Sequence, residues 1–447
     1  MLIEWLVTRY LRHIIGAHMR FDDEPVGGRP PAPRRGHEYL LYVHIPFCEV
    51  LCPFCPFHRV RFREPRASRY FAALRQEIRR YHERGFDFSG VYVGGGTPTV
   101  VPEELAETLA LIRSLYAVNE ISVETNPNHL RAEVVSLLKS AGVNRLSVGV
   151  QSFDDVLLKE MGRYDSYGSS AFIVERLHSV QGVFDTLNAD MMFNLPHQTL
   201  ASLQNDLRIL TDNVKVDQVS FYPLMTAPST RQAMSLTMGE VTFRREKSFY
   251  KTILAAMKRG YQPSSAWCFS RGKSMIDEYI VDYDEYVGVG SGAFSYVDGT
   301  MYSSTFSTNC YIDQVDGGRT GITAARRLDP REQMDYDFLM KLFSLSMDKK
   351  AIEAKYHGGF HRALWKELLT FKVLGALVEE GGRYRVTEKG MYYWVMMMRE
   401  FFMGVNRLRD TMRLRIREEW RSEHMAVKPG DIVRRTGTED TAGRGVS

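Results

Sequence analysis

Six short β-rich runs, each trailed by a helical pattern, fill the chain from Tyr39 to about Ser229. The runs are 39–44 (YLLYVH), 90–93 (GVYV), 120–124 (EISVE), 145–150 (RLSVGV), 186–191 (TLNADM) and 217–223 (DQVSFYP). Apolar residues at helical spacing mark 67–84, 102–115, 129–140, 154–161, 168–180 and 199–213 between and after them. A chain built this way pairs its strands in parallel, because every crossover carries a helix. Several runs are apolar nearly throughout, as strands covered on both faces are. The pattern therefore predicts an α/β fold, either an open sheet or a partial barrel, and the chemistry at the strand ends has to decide between them.

The flanks differ from this core. Residues 2–20 place Ile3, Leu6, Val7, Tyr10, Leu11, Ile14 and Ile15 at helical spacing, and the Pro- and Gly-rich stretch 22–37 that follows prevents regular structure. Residues 239–259 and 330–346 are predicted helical. Residues 350–388 read as helices followed by a short hairpin, a winged-helix-like pattern. A long helix over 390–421 is rich in Met, aromatics and Arg. The expected organisation is an amphipathic helix and linker at 1–38, the barrel at 39–300, a helical substrate-side region at 301–421 and a disordered tail at 422–447.

The 447 residues hold only five cysteines, and three of them, Cys48, Cys52 and Cys55, fall within eight residues. An odd number clustered in this way is no disulfide framework. It predicts thiolates kept reduced for metal, and so a cytoplasmic protein. Cys268 and Cys310 stand alone, and isolated cysteines usually pack as small hydrophobes. A net charge of +4 is too weak to argue for nucleic acid as a partner. No uncharged run approaches the ~20 residues that span a bilayer, and the first twenty residues lack a secretory cleavage site.

The cysteines stand directly after the first strand, in Tyr42-Val-His-Ile-Pro-Phe-Cys48-x3-Cys52-x2-Cys55. Three thiolates on one loop can hold three irons of a [4Fe–4S] cluster and leave the fourth iron open. A structural zinc site usually wants four ligands, and His58 is the one nearby candidate to complete it. With HIPFC come GGGTP at 94–98, GVQSF at 149–153 and Leu195-Pro196. This ordered set resembles the radical S-adenosylmethionine (SAM) superfamily. Within it, the set resembles the subfamily of oxygen-independent coproporphyrinogen III oxidases, haem chaperones and class C methyltransferases. The resemblance implies a partial (β/α)6 TIM-like barrel with a C-terminal helical, winged-helix-like region. It also implies a cluster on Cys48, Cys52 and Cys55, with SAM on the open iron. By the same resemblance Gly95, Gly96 and Thr97 receive the methionyl group of SAM, and Glu124 contacts that first SAM. Gln151, Arg163 and Asp190 match residues that hold a second SAM, and Tyr42, Phe54, Pro223 and Phe294 match residues lining the SAM sites.

Departures from the subfamily steer the choice of activity. Haem chaperones carry a Cys and a His where this chain has Ser291 and Phe294, and coproporphyrinogen oxidases carry a further Cys where it has Phe57. The expected activity is therefore C-methylation of an sp2 ring carbon, with a second SAM as methyl donor and a low-potential flavodoxin or ferredoxin as electron source. An oxygen-independent coproporphyrinogen III oxidase or other tetrapyrrole enzyme, and a haem chaperone, are the alternatives. The apolar, Arg-bearing terminal helices point to a small hydrophobic aromatic substrate, with menaquinone methylated at ring carbon 8 as the leading case. They also point to peripheral contact with the cytoplasmic membrane face.

Overall fold

A computed structural model describes residues 21, 30–34, 36–272 and 283–425. The helix expected over 2–20, the segment 273–282 and the tail beyond Met425 lie outside the described residues.

The six strands of the alternating region form one parallel array: β1 (Tyr39–Ile45), β2 (Phe88–Gly95), β3 (Glu120–Thr125), β4 (Arg145–Gln151), β5 (Thr186–Phe193) and β6 (Gln218–Pro223). They lie side by side in chain order. Every residue of β1 is buried, because helices cover one face of the array and the interior fills the other. The main crossover helices are α1 (Glu64–Glu83), α2 (Pro102–Leu115), α3 (Ala132–Ser140), α4 (Ser170–Ser179) and α5 (Leu200–Arg208). Proline in the first turn of α1 and of α2 starts those helices where a missing N–H costs nothing.

Two additions extend the array. Cys268–Ser270 pairs antiparallel with β6, and Tyr286–Val289 pairs parallel with β1 on the other side. From there antiparallel strands Phe294–Val297, Thr300–Ser304 and Ile322–Arg327 continue the same sheet, so the sheet runs on past residue 300. Among the described residues its two ends do not pair with each other. The result is the expected α/β fold, consistent with a partial TIM-like barrel. C-terminal to it, three helices and the small antiparallel sheet of Ser346–Asp348, Leu377–Glu380 and Arg383–Val386 form the wing-like region.

Two more helices matter for the site. Helix α6 (Glu246–Met257) packs outside the barrel, and α7 (Glu388–Met425) is the longest helix described. The first half of α7 is core. Met391, Tyr392, Tyr393, Trp394, Met396, Met397, Met398 and Phe401 are all buried, and Trp394 lies against Phe338 and Phe371. Arg399 is also buried, paired with Glu246 of α6 and with Glu400, and its guanidinium sits over Phe243. Farther along, Leu408 and Met412 pack with Phe306 and Ala324. Most of the α7 side chains that predicted membrane contact are thus engaged within the protein, although Arg407 is exposed, and the N-terminal helix that shared the expectation lies outside the described residues. No described helix is long and apolar enough to cross a membrane.

Candidate active site

All six parallel strands deliver their C-terminal ends to one side of the array. A cavity of about 230 Å³ opens there. In barrels of this kind that end carries the chemistry, because the loops after the strands are free to vary. Cys48, Cys52, Phe54 and Cys55 reach the cavity from the loop after β1, and Gly95, Gly96 and Thr97 from the end of β2. Glu124 of β3, Gln151 of β4, Asp190 of β5 and Pro223 of β6 complete the strand side, with Arg163 from the segment after β4. Residues dispersed over 175 positions in sequence thus meet in one chamber. Tyr42 sits just behind its lining, with its ring 6.3 Å from that of Tyr92 and its hydroxyl 2.9 Å from His44 Nδ1. Phe294 lies elsewhere, packed on Phe21 and Phe306.

The cysteine loop is fastened from several directions. Arg59 donates to the carbonyls of Cys52 and Cys55 at 2.5 and 2.6 Å. Thr97 Oγ1 donates to Cys48 Sγ at 3.7 Å, and Arg163 Nη1 to Cys52 Sγ at 3.8 Å. Asn126 joins these two, donating to Thr97 Oγ1 at 2.9 Å and accepting from Arg163 Nη2 at 2.8 Å. Burial pushes the Cys48 thiol up to about 12, helped by the neighbouring Cys55 and partly offset by Thr97. A bare thiolate is disfavoured there, and a bound cation supplies what makes it form.

The donor set fits an iron–sulfur cluster. The three thiols are free of disulfides and line the same cavity, with hydrogen-bond donors aimed at two of the sulfurs. No group of three or more Cys, His, Asp or Glu side chains among the described residues converges on a single metal ion. Three thiols lining one chamber suit a cluster, whose irons each take one thiolate, better than a structural zinc, which usually wants four ligands. His58 is no fourth ligand. It is buried beside His44 and Phe306, with Nε2 3.0 Å from Ser291 Oγ. Burial lowers the protonation of both imidazoles, holding His44 at about 4.

On the β2 side the glycines are sterically required. Gly95 has φ +114°, and a Cβ there would sit 2.6 Å from the His44 ring. Its N–H donates to Glu124 Oε2 at 3.1 Å, while Tyr92 OH donates to Oε1 at 3.0 Å. Burial raises the Glu124 pKa, and these two donors oppose the rise. Asp190 accepts from Ser147 and Asn188, both at 2.8 Å. Gln151 holds a left-handed φ of 74° at a register shift between β4 and β5, an uncommon conformation for a side-chain-bearing residue.

The far wall comes from residues that motif reading did not nominate. Met192, Tyr222, Met225 and Phe402 give it an apolar and aromatic surface, and Asn406 and Arg409 add polar groups, while Arg59 lines the chamber from the cysteine-loop side. Phe402, Asn406 and Arg409 all belong to α7. With Arg413 they recur at i, i+4, i+7 and i+11, a single helical stripe that the sequence does contain. Arg413 Nη2 donates to the carbonyls of Pro56 and Phe57, each at 2.8 Å, tying α7 to the cysteine loop.

The radical SAM superfamily model matches residues 42–210, the stretch that carries the three cysteines and most of the strand-end residues. The heme chaperone HemW of Lactococcus lactis subsp. lactis (strain IL1403) is 30% identical over 284 residues, covering 61% of this chain and 73% of that protein. The chain belongs to the radical SAM superfamily. Heme chaperone HemW of Bacillus subtilis (strain 168) is a further relative, 29% identical over 330 residues that cover 70% of this radical SAM protein and 86% of its own length. Among solved structures, the coproporphyrinogen III oxidase of Escherichia coli superposes with a TM-score of 0.69 at 24% identity, covering 81% of this chain and 90% of that one. Membership implies a [4Fe–4S] cluster and SAM, which the chamber fits. It also corrects the expected activity. These relatives are named for haem and coproporphyrinogen, which overturns menaquinone C8-methylation and ring C-methyl transfer as the reading. The first half of the apolar helix that favoured a quinone is core, so the composition of that half says nothing of the substrate.

Proposed function

We propose that this radical SAM protein is an enzyme that oxidises a porphyrinogen-class tetrapyrrole bearing carboxylate side chains. The observation that carries the reading is the make-up of one chamber. Three thiols and the Gly95–Thr97 and Glu124 shelf form one side, while Tyr222, Met225 and Phe402 with Arg409 form another. Apolar and aromatic walls suit a flat macrocycle, and Arg matches carboxylates. Haem delivery is the weaker reading at the turn where chaperones carry Cys and His. Here Ser291 is hydrogen-bonded to His58 and Thr305, and Phe294 packs on Phe306.

Cys48, Cys52 and Cys55 would hold the cluster, and Gly95, Gly96, Thr97 and Glu124 would seat SAM against it. Reduced and loaded, that pair supplies one-electron abstraction of a substrate hydrogen. The chain's own part is to position and enclose. Arg59 and Arg163 hold the cysteine loop, Asn126 aligns Thr97 with Arg163, and α7 covers the chamber against water. Gln151 and Asp190 line the same space and would serve a second SAM or the substrate.

The test is anaerobic. Reconstituted protein with limiting dithionite, SAM and an added one-electron acceptor should form 5′-deoxyadenosine faster when coproporphyrinogen III is added, with loss of carbon dioxide from the tetrapyrrole by mass spectrometry. One electron leaves with the abstracted hydrogen atom, and the second goes to the acceptor as carbon dioxide is lost. SAM cleavage that ignores the tetrapyrrole, with the tetrapyrrole recovered unchanged, would reject the proposal.

A further inference from the structure

Two buried N–H donors at the chamber have no partner, one from the barrel and one from α7: Arg163 Nε and Asn406 Nδ2. Asn406 is 1% exposed. Its amide orientation is determined by its neighbour. Arg409 Nη1 lies 2.8 Å from Asn406 Oδ1, and a guanidinium can only donate, so the atom facing it is the oxygen. The amide N–H2 is then left buried with nothing to bond, on a residue that lines the chamber. A buried donor kept without a partner destabilises a fold, so it marks a place where a ligand completes the bonding.

The surroundings say what kind of ligand. The carboxylates lining the chamber are Glu124 and Asp190, and each already accepts hydrogen bonds from the barrel. Arg59, Arg163 and Arg409 line it as well, so guanidinium donors face the same space. Arg409 is positioned before any ligand arrives, with its guanidinium 4.7 Å from the Phe57 ring centre and its Nη1 on Asn406. One turn earlier on the same face, Phe402 offers an apolar surface beside these donors.

We propose that Asn406 and Arg409 form a carboxylate-binding subsite for the substrate, with Phe402 against its macrocycle. The inference rests on the tetrapyrrole reading above for the identity of the ligand. The carboxylate of SAM is the other anion the chamber receives, but it belongs at the open iron beside the thiols, on the barrel side.

The experiment compares wild-type protein, carrying its cluster, with Arg409→Gln and Asn406→Ala. Binding of coproporphyrin III, of its tetramethyl ester and of SAM is measured for each by anaerobic fluorescence or calorimetric titration, and folding by thermal melting. Wild type should prefer the free acid to the ester. Arg409→Gln should weaken the free acid about tenfold or more, the loss expected for a charge-assisted bond, and leave the ester and SAM unchanged. Asn406→Ala should weaken the free acid by a smaller factor; it also removes the oxygen that holds Arg409 Nη1, and the melt checks that the variant is still folded. Variants that bind the free acid as tightly as wild type would overturn the subsite while leaving the tetrapyrrole reading intact. Weakened SAM binding in Arg409→Gln would overturn it by assigning the pair to the cofactor. Wild-type protein that binds neither the acid nor the ester would overturn both readings.

Discussion

Glu49 stands between the first two cysteines, and residues from beyond β3 hold it. Asn128 and His129 donate to its carboxylate at 3.0 and 3.1 Å, and His129 Nδ1 lies 2.7 Å from Thr99 Oγ1. Replacing His129 with Ala should loosen the loop without removing a ligand. Because Glu49 is half exposed, the pair contributes no more than about 1 kcal/mol. The cluster should still assemble, and a chelator should strip its iron only a few-fold faster, followed by absorbance. Cys52→Ala, by contrast, should bind no cluster and cleave no SAM. A second residue outside the site sets a pH response. Asp206 is buried and accepts from Ser152 Oγ and the Phe153 N–H, and burial pushes its carboxyl up to about 7. The folded state then holds that proton more tightly than the unfolded chain does. This contribution to stability is full below about pH 4 and is lost as pH rises through 7. Wild type should therefore lose a few kcal/mol relative to Asp206→Asn between those limits, read from denaturant midpoints. Most of the site was legible residue by residue, because motifs at strand ends have fixed spacing. Asn126 was overlooked although it follows Glu124 closely, since nothing in a lone Asn shows that it will bridge Thr97 and Arg163. Asn406 and Arg409 were illegible for a different reason. Only packing brings their helix to the chamber.

Helix α7 shows how far composition can be trusted. Its aromatic, Met and Arg content fits a membrane interface and a protein core equally well, and sequence cannot say which neighbour covers an apolar face. The structure covers it with the barrel and the wing-like region. Trp394 is fully buried against Phe338 and Phe371. Trp394→Ala should cost about 3–5 kcal/mol of stability, seen as a lowered denaturation midpoint. Phe402→Ala, at a half-buried cavity position, should cost much less. The crossover helices and six parallel strands, in contrast, fall close to their expected bounds, because continuous apolar runs and helical periodicity are local signals.

At the scale of the whole molecule, an incomplete barrel needs a cover, and distant parts of the chain supply it. The antiparallel strands beyond Tyr286–Val289 extend the sheet past residue 300. The substrate depends on that cover more than on the barrel, so a sequence reading anchored in barrel motifs reached the superfamily and its cofactors but chose the wrong chemistry. If the thiols and strand ends act as one cofactor site, SAM should stabilise the reconstituted protein as a unit. At a hundredfold excess over its dissociation constant the gain is about 2.7 kcal/mol. Thermal melts should rise accordingly for wild type and stay unmoved for Cys52→Ala.

The ties from Arg413 to Pro56 and Phe57 also set an order in time. A ribosome delivers the cysteine loop long before α7, and domains fold as they emerge. Until α7 is made, the three thiols stand at the mouth of a barrel that lacks this wall, within reach of whatever carries iron and sulfide. Once α7 docks, the same loop is tied to it. Cluster insertion then has its widest opening on the nascent chain, before the ties from Arg413 form.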